Sequence, residues 1–275
     1  MGAYLTLDEY RAAPTATGLY ALSPSGGSDE AVEAEARRVI ARAGAWIDSY
    51  CDQPLCATSY TQTQRARSSR RGDFVFSAER NPVIAVTAFG YGAHPASLTV
   101  ADATMAWVER RSIHVPGGGA TLGLESLQFG ARPGAEWVIS CTYIHGWASS
   151  VTTTAVDAGD HDLPLDPTGY VAGRTYTIFD GSSTEQVTVT AVGGSSITVA
   201  ETLLAHGAGV RVSDMPEDIT EASILATTAF ITTRGNEAMV MGNAQTPGPV
   251  TDLDPSTAAT LRLAKNLLWP YRRTR

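Results

Sequence analysis

Lysine is almost missing from this 275-residue chain: Lys265 stands alone among twenty basic residues, the rest being arginine. That bias points to a GC-rich coding genome and says nothing about mechanism. Cysteine is nearly as scarce. Cys51, Cys56 and Cys141 cannot all pair, so a disulfide framework is excluded and all three read as small buried apolar residues. The C-x4-C spacing of Cys51 and Cys56 has no second ligand pair nearby, which leaves zinc poorly supported. No apolar run approaches the length a bilayer requires. MGAYLTLDEYRAA has neither a basic n-region nor an apolar core, so it does not read as a signal peptide and the chain is expected in the cytoplasm where it is made. A net charge of −8 argues against a body that seeks nucleic acid or anionic lipid.

Enzyme signatures are missing too: the sequence has no GxSxG elbow, Walker loop, HExxH or CxxC. Cys141 and His145 share a face if they lie on a strand, but that spacing separates them by roughly 13 Å, too far for a nucleophile and its base. Asp157, Asp160, His161 and Asp166 could hold a hard cation, but a solvated acidic loop is by far the better reading of them. Gly117 to Gly119 would cradle a phosphate only ahead of a helix, and ATLGLESLQFG is not a convincing one. No catalytic residue, metal or cofactor is expected.

What is present divides by period. Thr6 with Glu9 makes a capping box for a short helix ending near Pro14. Residues 29 to about 51 form the clearest helix. Val32, Ala36, Val39, Ile40, Ala43, Trp46, Ile47 and Tyr50 line one face, acids crowd its start, and Glu33 pairs with Arg37. From residue 57 the period becomes two. DFVFSA, VIAVTAFGYG, SLTV, MAWVERRSIHV and EWVISCTYIHGW read as strands of one antiparallel domain over 57–150. After SSVTTT a further β module is expected over 151–213. In it RTYTIFDG, EQVTVTAV and SSITVA are strands, and Gly193-Gly194 is a tight turn. Helix resumes over 214–275, with Asp214 as a cap-like start, Gly235 as a stop, and Asp254-Pro255 opening the last helix. The fold class is therefore α+β: a small helical bundle from both ends (1–56 and 214–275), a central antiparallel β domain and an extra small β module.

Charge is unevenly placed. Residues 214–254 hold seven acids against Arg234, whereas Arg262, Lys265, Arg272, Arg273 and Arg275 follow with no acid after Ser256. Such blocks suit electrostatic docking between copies or onto a different partner. The run RARSSRR adds Arg65, Arg67, Arg70 and Arg71, with no aromatic residue to stack on bases. It reads first as a solvated basic loop, then as a contact with a partner protein, and last as a contact with a DNA backbone.

Six stretches, in this order, resemble the head-to-tail adaptor (head completion, or connector) proteins of tailed bacteriophages. They are LTLDEYRAA, ARAGAWIDSYCDQP, NPVIAVTAFGYG, WVISCTYIHGWA, PEDITEASILATTAFITTRG and LRLAKNLLWPYRRTR, together about half the chain. The small members of that family are mostly helical, and residues 155–213 resemble an extra module of adaptors from phages of high-GC hosts. The resemblance implies a structural virion protein of the neck, made in the bacterial host, that sits under the portal as a ring, in that family usually of twelve copies. Such a ring extends the DNA channel and carries a neck, stopper or tail-terminator protein. Genomic DNA passes through without sequence-specific contact, and no membrane is involved. It further implies that Leu267, Leu268, Trp269, Tyr271, Arg272, Arg273 and Arg275 dock on the portal. Two other readings stand beside it: another phage neck or tail-end structural protein, and a carbohydrate- or peptide-binding β protein using 155–213.

Overall fold

A computed structural model describes residues 2–22, 28–69, 73–116, 136–240 and 255–273. Gly117 to Gly119, Arg70, Arg71, Asp254 and Arg275 lie outside the described residues. The fold is α+β, and the chain divides into two compact units. One joins Met1–Cys56 with Ala148–Arg275; the other is Ala57–Trp147.

The second unit is antiparallel throughout. Strands β1 (Thr58–Arg67), β7 (Glu136–His145), β3 (Val83–Gly92) and β4 (Thr99–Ala101) form one sheet in that order. Strands β2 (Phe74–Ser77), β6 (Ser112–Val115) and β5 (Trp107–Glu109) form another. Strict alternation fixes the register: Ile139, Cys141, Tyr143 and His145 of β7 all point inward, where they are buried. Phe74, Phe76, Phe89, Ile113 and Val115 complete that core, and the Phe74 and Phe89 rings meet at 5.4 Å.

In the first unit, β8 (Ser149–Val151), β13 (Arg211–Ser213), β10 (Thr175–Phe179), β11 (Glu185–Val192), β12 (Ser196–Val199) and β9 (Asp162–Pro164) make a six-stranded antiparallel sheet. Gly193 turns β11 into β12, its N–H bonding the Ser196 carbonyl at 2.9 Å. Leu163, Leu165, Tyr176, Ile178, Val187, Val189, Ile197 and Val212 fill the core.

The same unit holds the helices. In α1 (Leu7–Ala12) both halves of the Thr6–Glu9 capping box are made. Helix α2 (Asp29–Cys51) is capped by the Ser28 hydroxyl and ends on Asp52 in the left-handed conformation. Helix α3 (Glu217–Val240) is buried on nearly every side from Ile219 to Ile231, so it has no polar face to present. Helix α4 (Pro255–Leu268) buries Ala264 and Leu268.

Three local expectations are corrected. Gly235 does not end its helix, which continues to Val240; one glycine costs a helix only about 1 kcal/mol. Asp214 is not a cap. Helix α3 opens at Glu217, the Met215 N–H bonds the Ser213 hydroxyl at 3.0 Å, and burial pushes the Asp214 carboxyl up. Arg65 and Arg67 lie on strand β1 rather than in a loop.

Candidate docking surface on helices α2, α3 and α4

Helix α2 sets out one face at four-residue spacing: Arg42, Trp46 and Tyr50. Trp46 and Tyr50 stack with centroids 5.9 Å apart and planes at 11°. Phe230 of α3 meets Trp46 edge-on at 6.2 Å, and the Arg42 guanidinium lies 5.0 Å from the Phe230 ring. From α4 and the turn after it, Lys265 approaches Tyr50 at 5.8 Å. Arg272 lies between Tyr50 (5.0 Å) and Trp269 (5.1 Å). The result is a strip of contiguous rings flanked by cations.

Three backbone contacts hold the closing segment on α2. Arg273 N–H donates to the Cys51 carbonyl at 2.8 Å, Gln53 Nε2 to the Tyr271 carbonyl at 2.9 Å, and Arg272 Nε to the Tyr50 carbonyl at 3.2 Å. The Tyr271 hydroxyl reaches Asp218 at 3.5 Å, and burial followed by that carboxylate pushes the phenol up. Among the described residues no carboxylate pairs with Arg42, Lys265 or Arg272. A guanidinium lying over a ring can still donate in its own plane, and apart from Arg272 Nε on the Tyr50 carbonyl the strip has unspent capacity for carboxylates.

The stretch Ile47-Asp48-Ser49-Tyr50-Cys51 organises this face. Ile47 and Cys51 are fully buried. Asp48 accepts from the Tyr4 hydroxyl, which in turn accepts the Leu55 N–H at 2.8 Å. Gly44 lets this happen: a Cβ there would lie 2.9 Å from the Tyr4 ring.

Of the residues expected to dock, Trp269 is 65% exposed, Arg272 is exposed, and Leu267, Tyr271 and Arg273 are half-buried. Leu268 is fully buried in its own fold, so it anchors α4 rather than offering a surface. Lys265 comes from the closing basic block and Trp46 and Tyr50 from the apolar face of α2, whereas Arg42 and Phe230 join this surface without any expectation from the sequence. The available signal was the i, i+4, i+8 order of Arg42, Trp46 and Tyr50.

The chemical candidates come apart. The thiols of Cys51, Cys56 and Cys141 are pushed up to about 12, chiefly by burial, so none is a thiolate near neutrality. His145 is buried with neither ring nitrogen hydrogen-bonded. The Asp160 carboxylate accepts the Asp157 N–H, and Asp166 is held low by the hydroxyl and N–H of Thr168. Among the described residues no three such ligands gather to hold a metal, and no helix is long and apolar enough to cross a membrane.

No protein-family model and no curated protein matches this chain. Among solved structures, it is similar to a chain described as "Neck of empty GTA particle computed with C6 symmetry", at 14% identity and a TM-score of 0.37. That match covers 100% of this chain and 96% of the other.

Proposed function

We propose that this chain is a structural protein of a phage-like neck, a head-to-tail adaptor that assembles as a ring under the portal and carries the next neck or tail component. Two things support the reading: the ordered series of six adaptor-like segments, and a preformed strip of cations that pair with no carboxylate among the described residues, on a chain of net charge −8. The strip is the carrying observation. Ordering three long basic side chains against rings has an entropic cost, which docking recovers because nothing remains to be ordered.

In this reading Trp269, Arg272 and their neighbours Leu267, Tyr271, Arg273 and Arg275 meet acidic surface on the portal, with Arg42 and Lys265 extending the contact. An acidic body suits a channel wall, since like charge lets the duplex slide where a basic wall would hold it. The role is structural and needs no cofactor.

The test is electron microscopy and sedimentation of the protein mixed with its portal ring. Wild-type chain is expected to decorate the ring, and the W269A/R272Q variant to leave it bare while keeping its circular dichroism. Decoration by that variant at wild-type strength would remove the docking role.

A further inference from the structure

A loop in the six-stranded sheet displays two leucines on a rigid base. Leu203 is 73% exposed and Leu204 is 40% exposed. Their backbone N–H groups both donate to the Glu185 carboxylate, at 2.9 and 3.3 Å. The adjoining Thr202 is fully buried, and its hydroxyl donates to the carbonyls of Asp157 (2.9 Å) and Asp160 (3.2 Å). On the other side, His206 exchanges backbone bonds with Val156 at 2.8 and 2.9 Å. Its buried ring spans two carboxylates, Nδ1 to Asp180 at 3.1 Å and Nε2 to Glu185 at 2.7 Å. Burial opposes charge on Glu185, yet the His206 and amide bonds prevail and hold its carboxyl below the usual range. Exposed Glu201, Asp157 and Asp160 surround the leucines with negative charge. Apolar side chains held in water on a loop pinned this firmly are preorganised for burial against a partner.

The matching surface is on the other unit of the same sequence. On the outer face of the three-stranded sheet, Val75, His114 and Trp107 lie in one cross-strand row. Val75 and Trp107 are each 49% exposed, and Trp107 stacks on His114 at 4.9 Å. The Ser68–Phe74 bridge brings the exposed Arg67 in beside Val75, and Arg110 and Arg111 form the exposed β5–β6 turn. Glu109, 3.9 Å from His114, and Glu136, across from Arg67 and paired with Arg65 at 3.4 Å, are outnumbered by Arg65, Arg67, Arg110 and Arg111. The row is thus open, apolar and rimmed with positive charge. The α2–α4 strip is a poorer seat for leucine, because cations already cover its rings.

We propose that the acid-rimmed Leu203–Leu204 knuckle of one copy seats on the basic-rimmed Val75–His114–Trp107 row of a second copy. The contact joins two different surfaces, so it repeats head to tail and closes into a ring or continues as a chain. It deepens the reading of a ring-forming protein and rests on it. One such contact is small and therefore weak in an isolated pair; closure makes it firm, because each copy then holds two.

The three native cysteines are buried, so engineered ones report alone. Full-length L203C and V75C chains are mixed and oxidised with copper–phenanthroline, with L203C plus S59C as the control. Cross-linked heterodimer is expected about tenfold faster for L203C with V75C than for the control. E201R in the first chain or R67E in the second slows it to the control rate, and combining E201R with R67E restores it. Equal rates for test and control pairs, no restoration by the charge swap, or faster linking of L203C to itself overturns the contact. Portal decoration by the same wild-type protein is scored separately. A lost cross-link with intact decoration rejects this contact alone, and a retained cross-link without decoration rejects the portal reading alone.

Discussion

The N–H of Arg273 donates to the carbonyl of Cys51 at 2.8 Å, across more than two hundred residues of sequence. It closes one of the carbonyls that the end of a helix leaves open. The segment after α4 is therefore not a loose arm but a cap for α2, and that changes how its removal reads.

Truncation after Leu268 removes this bond and the Gln53–Tyr271 bond together. Such a chain is expected to lose about 1–3 kcal/mol of stability as well as docking. The R272Q substitution removes an exposed cation, its ring contacts and the single Nε bond to the Tyr50 carbonyl while leaving both of those bonds in place, and its stability should stay within about 1 kcal/mol of wild type. Urea unfolding of the two separates the roles; equal loss in both would show that Arg272 is structural.

Glu9 and Arg211 form a largely buried pair, with Arg211 Nη2 2.7 Å from Glu9 Oε1 and the guanidinium 4.2 Å from the Phe179 ring. E9Q leaves a cation buried without its counter-charge and should cost about 3 kcal/mol. The double variant E9L/R211M is expected to recover most of that. Denaturant midpoints for the three proteins check both statements.

Gly44 is helical, so alanine there would ordinarily stabilise α2 by about 1 kcal/mol. Here the new methyl meets the Tyr4 ring at 2.9 Å, and Tyr4 is fixed through Asp48 and Leu55. Overpacking costs about 1–3 kcal/mol, so G44A should be destabilising on balance. A raised melting temperature would show that Tyr4 moves aside freely.

Burial, and then the Arg80 charge, hold His145 down at about 4. An unfolded histidine titrates near about 6.5, so between those values the unfolded chain binds a proton that the folded one refuses. Stability conferred by His145 is thus full at neutral pH and falls as the pH drops from about 6.5 to 4, by about 3 kcal/mol, with no further loss below. Because neither ring nitrogen has a partner, H145L should cost little at pH 7 and remove this slope. Unfolding free energies measured from pH 7 to 4 test the difference between the two proteins.

Local chemistry was legible in the residues. The period of residues 29–51, the Thr6–Glu9 box and the alternation of EQVTVTAV each carry their own signal, and each element has the expected bounds. Single-residue signals divided: Gly193 turns its hairpin and Pro255 opens its helix as expected, whereas Gly235 and Asp214 do not bound α3. The proposed docking surface was half legible. Trp269, Arg272 and Lys265 stood out as an aromatic within a basic closing block, whereas Arg42 and Phe230 gained meaning only from neighbours distant in sequence.

The sequence alone determined most segments of helix and strand, because hydrophobic period and capping act over a few residues. It also determined an acidic chain with a basic closing segment. Tertiary structure alone decided that Leu268 is core while Trp269 is surface, that Arg272 rests between two rings, and that Leu203 stands in water on a pinned loop. Those facts depend on contacts between residues far apart in the chain, and no local pattern records which partners the fold will bring.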